Sequence, residues 1–132
     1  MLPRGVLNYL KIENICVKIA LPQGGKMASI EDFRKLEFRV AEILEAACHP
    51  QADKLYVLDI RVGEEKKRIV AGIRNFYSLE ELKGKKVVVV NNLEPAVIRG
   101  VESQGMLLAA SDSQTLTLVT PERPVDIGAT VK

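Results

Sequence analysis

The residues of this chain that could act on a ligand fall into two groups, and the first lacks the spacing of a catalytic centre. His49, the only histidine, sits beside Pro50 in the turn CHPQADK. A nucleophile triad needs a histidine within hydrogen-bond reach of a Ser or Cys. His49 stands alone beside Pro50 in a turn, and its expected role is to fix that turn. The acidic pairs Glu64/Glu65 and Glu80/Glu81 are adjacent in sequence and point to different faces, which is wrong for a shared proton or a metal ion. GGKM at 24–27 and GKK at 84–86 lack the Ser or Thr with which a phosphate loop holds magnesium. An enzyme is therefore the weaker expectation, and no cofactor or metal is expected.

The second group is basic. Net charge is only +2, yet residues 61–100 hold nine basic residues (Arg61, Lys66, Lys67, Arg68, Arg74, Lys83, Lys85, Lys86, Arg99) against five acidic ones. Such a cluster is either a solvated face or the footprint of contact with phosphates. Near its end comes NNLEPAVIRGVESQGMLLAAS, residues 91–111, a loop rich in Gly, Pro and Asn ahead of a short apolar strand. It has the form of a ligand-facing loop on a rigid scaffold. Glu94 is awkward there, because phosphate binding favours Lys or Arg.

The elements that must position these residues read as β. At 132 residues the chain has the size of one domain. Cys16 and Cys48 lie far apart and suggest reduced, inert thiols. No apolar run approaches the ~20 residues of a spanning helix, and the charged opening MLPRGVLNYLKIENICVKIA is unlike a signal peptide, so no membrane and a cytoplasmic location are expected. Pro22 with Gly24 and Gly25 marks a boundary: residues 1–26 form an N-terminal extension and 27–132 the domain, with Met27 a candidate start.

Ser29 is placed to cap a short helical turn at residues 30–35, with Asp32 answering and Ile30 or Phe33 turned inward. EFRVAEILEAA is a strand whose phase slips where Ile43 and Leu44 stand side by side, which predicts a bulge. LYVLDIRVG puts Tyr56, Leu58, Ile60 and Val62 on one face, and a hairpin at Gly63 leads into KKRIVAGI with basic outward positions. Ser78 and Glu81 have capping-box spacing for a short helix ending at Gly84, followed by the buried strand KKVVVV. MLLAAS and TLTLVT complete the set. The fold class is all-β: an OB-fold, a five-stranded Greek-key barrel with one short helix between strands 3 and 4.

FRKLEFRVAEI, HPQADKLYVLDI, IVAGIRNFYSLEELKGKKVVVV, NLEPAVIRGVESQGMLLAAS and VDIGATV follow one another in an order and spacing that resembles the tRNA-binding domain family over about residues 30–131. The resemblance implies a non-catalytic OB-fold, usually a homodimer, that grips tRNA by its shape. Its relatives include domains or subunits that serve methionyl-tRNA synthetase, which makes a synthetase catalytic chain a candidate partner, and free-standing tRNA-binding proteins. CsaA-like export chaperones, which bind unfolded polypeptide, are the alternative, although HPQADKLY is closer to the tRNA-binding branch.

The family's S-x-G-M element corresponds to Ser103, Gly105 and Met106 and borders the nucleic-acid surface. Ser103 is expected to offer a hydroxyl to a phosphate or 2′-OH and Gly105 a close backbone approach. Met106 offers either an apolar contact or plain core packing. Where many members carry Lys after Asn-Leu and further basic residues after Pro, this chain has Glu94, Ala96 and Val97 behind Asn92. Binding is then expected to rest on Lys54, Arg74, Lys85, Lys86 and Arg99, with Asn92 beside them.

Overall fold

The computed structural model describes the backbone of residues 8–12 and 15–19 and, with side chains, residues 27–132. The boundary at residues 22–25 and the thiol of Cys16 lie outside the described residues. The chain divides into two compact units, Met1–Arg34 and Lys35–Lys132. In the first, β1 (Asn8–Ile12) pairs antiparallel with β2 (Ile15–Ile19), and α1 (Ile30–Arg34) follows. The Asp32 N–H donates to Ser29 Oγ at 3.1 Å, which is the cap expected of that serine. No residue of α1 is buried, so the inward face expected of Ile30 or Phe33 does not form; five residues make too short a helix to build an apolar stripe.

The second unit runs β3 (Phe38–Cys48), β4 (Tyr56–Val62), β5 (Glu65–Ala71), α2 (Leu79–Leu82), β6 (Lys86–Val90), β7 (Ala96–Ile98), β8 (Val101–Ser103), β9 (Met106–Leu107), β10 (Ala109–Ser111), β11 (Leu116–Leu118) and β12 (Thr130–Val131). An antiparallel sheet curls in the order β5-β4-β3-β6-β9, with β12 added to β3. Alternation buries Tyr56, Leu58, Ile60 and Val62 of β4, as the period-2 pattern predicts. The register of β3 against β4 shifts between Ile43 and Glu45, which is the bulge. Val87 to Val90 of β6 are all buried, because β6 is flanked by β3 and β9 and enclosed on both faces.

Helix α2 opens with both capping-box bonds, Glu81 N–H to Ser78 Oγ and Ser78 N–H to the Glu81 carboxylate. It places Leu82, fully buried, against the core. Gly84, at φ +85°, lets the chain leave the helix, and its N–H donates to the Ile43 carbonyl at 2.7 Å.

Two expectations need correction. MLLAAS is not one strand: β9 pairs with β6, whereas β10 turns away to pair with β11, and Leu108 between them bonds Val88 through its N–H and Val119 through its carbonyl. The stretch expected as plain loop contains the β7–β8 hairpin, in which Ile98 faces Val101.

The sheet closes on itself along a seam beside β5. Gln104 N–H donates to the Arg68 carbonyl at 2.8 Å, Arg68 N–H to Gln104 Oε1 at 2.9 Å, and Val70 N–H to Ser103 Oγ at 3.0 Å. Two of these acceptors are side chains standing where a partner strand would offer carbonyls, so backbone donors of β5 are satisfied without a regular ladder.

At the start of β3 a polar knot joins distant segments. The Glu37 carboxylate accepts from Asn91 Nδ2 at 2.8 Å and from Arg39 Nε at 3.0 Å, while Arg39 Nη1 donates to the Gly128 carbonyl and to Thr130 Oγ1. The Asn91 hydrogen bond, then that of Arg39, holds the Glu37 carboxyl below its ordinary pKa. A carboxylate whose folded pKa is depressed binds fewer protons in the folded than in the unfolded state, so its stabilisation is present above the unfolded pKa and is lost as pH falls. Thermal melts should therefore show Glu37→Gln less stable than wild type at neutral pH, with the gap narrowing as pH drops below about 4. A gap that stays constant with pH would disprove this account of the knot.

Candidate nucleic-acid interface

Burying Leu58, Ile60 and Ile69 turns the alternate residues Asp59, Arg61, Lys66 and Arg68 outward on the β4–β5 face. The β7–β8 hairpin bounds that face and leaves an open groove of about 770 Å³, lined by Asp59, Lys66, Arg68 and Glu102 and reaching Leu44 and Glu45 of β3. Arg68 Nε pairs with Asp59 Oδ1 at 3.0 Å, and Glu45 pairs with Lys83 at 3.1 Å. All four groups are substantially exposed, so these pairs add little stability and can be exchanged for a ligand. Lys66 makes no ion pair among the described residues. Sequence reasoning did not name Lys66 or Arg68 as site residues. The signal was there in KKRIVA, where residues two apart share a face.

The hairpin ends in a two-residue turn at Arg99 and Gly100, with φ of +52° and +88°. Positive φ at both central positions is the type I′ geometry that matches strand twist. Arg99 is the one non-glycine residue with positive φ among the described residues, and a side chain there costs about 1–2 kcal/mol. The backbone strain holds a cation at an exposed tip. Behind the tip, His49 is buried: its Nδ1 accepts from the Gln51 N–H at 3.0 Å, so the proton sits on Nε2, which donates to the Ile98 carbonyl at 3.0 Å.

The remaining residues expected at the site are not gathered in one place. Lys54 is exposed in the turn between β3 and β4, and Arg74 is half-buried after β5. Lys85 lies over the Tyr77 ring at 5.8 Å from its centroid, and Lys86 Nζ donates to the Val125 carbonyl at 3.0 Å. Both border a separate cavity with residues 120–124, which shares no lining residue with the groove. Asn92 is occupied in joining segments: its Oδ1 accepts from the Glu37 N–H and its Nδ2 donates to the Lys35 carbonyl.

Ser103, expected to offer its hydroxyl outward, is buried and bonded to Val70 N–H and to the Gly105 carbonyl. The backbone that Gly105 approaches is that of Val90, whose carbonyl oxygen would lie 3.0 Å from an added Cβ. Met106 is 49% exposed, which leaves its thioether available for an apolar contact. Glu94 and Val97 are exposed on the loop, Val97 at 72%. Among the described residues no group of three or more His, Cys, Asp or Glu could hold a metal ion, and no helix is long and apolar enough to cross a membrane.

A curled antiparallel sheet carries on its outer face a groove of mixed charge, with Lys66, Lys67 and Arg68 set against Glu45, Asp59 and Glu102. The model of the tRNA binding domain family matches residues 38–130, and the chain belongs to that family. It is 42% identical over 124 residues, 92% of its length, to a methionine-tRNA ligase of Thermococcus onnurineus, of which it spans only 17%. Among solved structures it is similar to a MetRS related protein from Pyrococcus horikoshii, with 34% identity and a TM-score of 0.76 over 81% of this chain and 99% of that one. It is also similar to the chaperone CsaA of Bacillus anthracis, with 27% identity and a TM-score of 0.73 over 81% of this chain and all of the other.

Proposed function

We propose that this domain binds folded tRNA through its backbone and shape, on the β4–β5 face between the turn at 49–55 and the loop at 91–105. The observation that carries the reading is the family match across residues 38–130. The unpaired Lys66, the exposed Lys54 and the strained tip at Arg99 support it, since phosphate contact asks for cations without internal partners. Arg68 and Arg74 flank them. Asn92, Ser103 and Gly105 contribute by holding the loop in position, and Met106 by an apolar contact at its border. Lys85 and Lys86 form a second basic patch.

The architecture we propose is the five-stranded Greek-key OB barrel, supported by the sheet order, the seam at β5 and the likeness to the MetRS related protein. Residues 27–132 are then the binding domain and 1–26 an extension. A homodimer, formed in part through the exposed Val119 and Val125, and a synthetase catalytic chain as cytoplasmic partner belong to the same reading.

Filter binding with bulk tRNA, a DNA duplex and an unfolded polypeptide tests it. tRNA should bind most tightly and weaken with salt, and Glu94→Lys should tighten tRNA binding at low salt and steepen the slope of log K against log salt by roughly 0.7–0.9, one added phosphate contact. Tighter binding of the polypeptide would favour the CsaA-like alternative. An unchanged slope for Glu94→Lys would mean that the loop lies off the RNA.

A further inference from the structure

His49 is buried, at 3% exposure, although histidine is a costly residue to bury without a task. Its backbone N–H donates to the Leu55 carbonyl at 3.1 Å, and its Nδ1 accepts from Gln51, so it closes the turn that carries Lys54. Its Nε2–H reaches across 49 positions of sequence to the Ile98 carbonyl, the residue immediately before Arg99.

Among the described residues this is the one hydrogen bond that joins residues 93–102 to the rest of the barrel, apart from the hairpin's own ladder. The hairpin has little else to hold its tip: Ala96, Val97, Arg99, Gly100 and Glu102 are exposed, and Ile98 and Val101 are only half-buried. One imidazole therefore fastens two loops, each bearing an exposed cation that makes no ion pair among the described residues.

We infer that His49 is a positioning residue for RNA binding, which fixes the Arg99 tip relative to the Lys54 turn so that both cations meet phosphates of one folded RNA. The inference rests on the tRNA-binding reading of this face. Its physical basis is preorganisation: a tip free to swing must be ordered when RNA binds, and the cost is subtracted from each contact it makes. Arg99 already sits in a strained conformation, which the anchor keeps populated.

The test is the salt dependence of tRNA affinity for wild type, Arg99→Ala, His49→Ala and the double variant, with a thermal melt of each. Arg99→Ala should lower the slope of log K against log salt by roughly 0.7–0.9, one phosphate contact. His49→Ala should lower it by at least as much, and adding Arg99→Ala to it should change nothing further. A residue that merely stabilised the barrel would reduce the fraction of folded protein and leave the slope alone.

His49→Gln, whose amide N–H reaches toward the Ile98 carbonyl, should restore the slope; His49→Asn, whose shorter side chain serves only Gln51, should not. This pair carries the comparison if His49→Ala does not fold. A wild-type slope in His49→Ala or His49→Asn overturns the inference while leaving tRNA binding intact. A wild-type slope in Arg99→Ala shows that the tip lies off the RNA and overturns it as well, and failure of the wild-type protein to bind tRNA overturns the functional reading itself.

Discussion

Gly128→Ala is expected to lower the melting temperature by about 10–20 °C, the largest effect expected of a methyl added at any of the described glycines. Gly128 has a φ of +97°, and its N–H donates to the Val40 carbonyl at 2.7 Å. An added Cβ would stand 2.8 Å from Gly63 Cα and 2.9 Å from Gly63 N. Gly63 is itself held at φ +61° in the tight β4–β5 turn, so neither backbone can yield without dragging its partner strand. The backbone conformation alone costs a non-glycine residue about 1–2 kcal/mol, and relieving the contact adds a comparable amount. Gly84→Ala is the control, because Gly84 has a φ of +85° but open space where its Cβ would go. Circular-dichroism melts should show Gly128→Ala falling well below Gly84→Ala. Equal losses would mean that backbone conformation accounts for everything and the contact between the two glycines for nothing.

Ser103→Ala should cost about 1–3 kcal/mol, because it strips the acceptor from the Val70 N–H in the seam beside β5 and removes a donor from the Gly105 carbonyl. The volume lost is small, so the penalty is one of unmet polar groups. Ser103→Thr keeps the hydroxyl and should recover much of the loss. Hydrogen exchange at the Val70 amide reads the bond directly: protection should fall in Ser103→Ala by more than the global loss of stability explains. If that amide keeps its protection, the seam is held by Gln104 and Arg68 alone.

The strands were legible because each is a local pattern. Tyr56, Leu58, Ile60 and Val62 alternate without interruption, and burial of one face follows from the pleat. The slip at Ile43 and Leu44 announced its bulge, and Ser78 with Glu81 announced its cap. These signals act over two to four residues, which is the range at which backbone geometry couples neighbouring side chains. The β7–β8 hairpin was also local, in VIRGV, but an Arg at the first turn position hid it, since type I′ turns favour Asn, Asp or Gly there.

Ser103 shows the other case. Its sequence motif marks a polar side chain beside a glycine near a loop, and the family resemblance implies an outward hydroxyl. Only the approach of residues 103–105 to β5, more than thirty positions earlier in the chain, turns that hydroxyl into a surrogate for a strand carbonyl. Asn92 is spent in the same way on Lys35 and Glu37, while Lys85 and Lys86, which lead into the buried valines of β6, are carried to the edge facing residues 120–124.

By itself the sequence determined the β class, the core faces, the short capped helix, the basic middle segment and the family pattern, because periodicity and short motifs are properties of neighbours along the chain. Which cations share a surface, and which polar groups remain free for a ligand, was decided only by tertiary structure. Closing the sheet brings His49 to Ile98 and Ser103 to Val70, and a hydrogen bond between residues that far apart leaves no trace in local spacing.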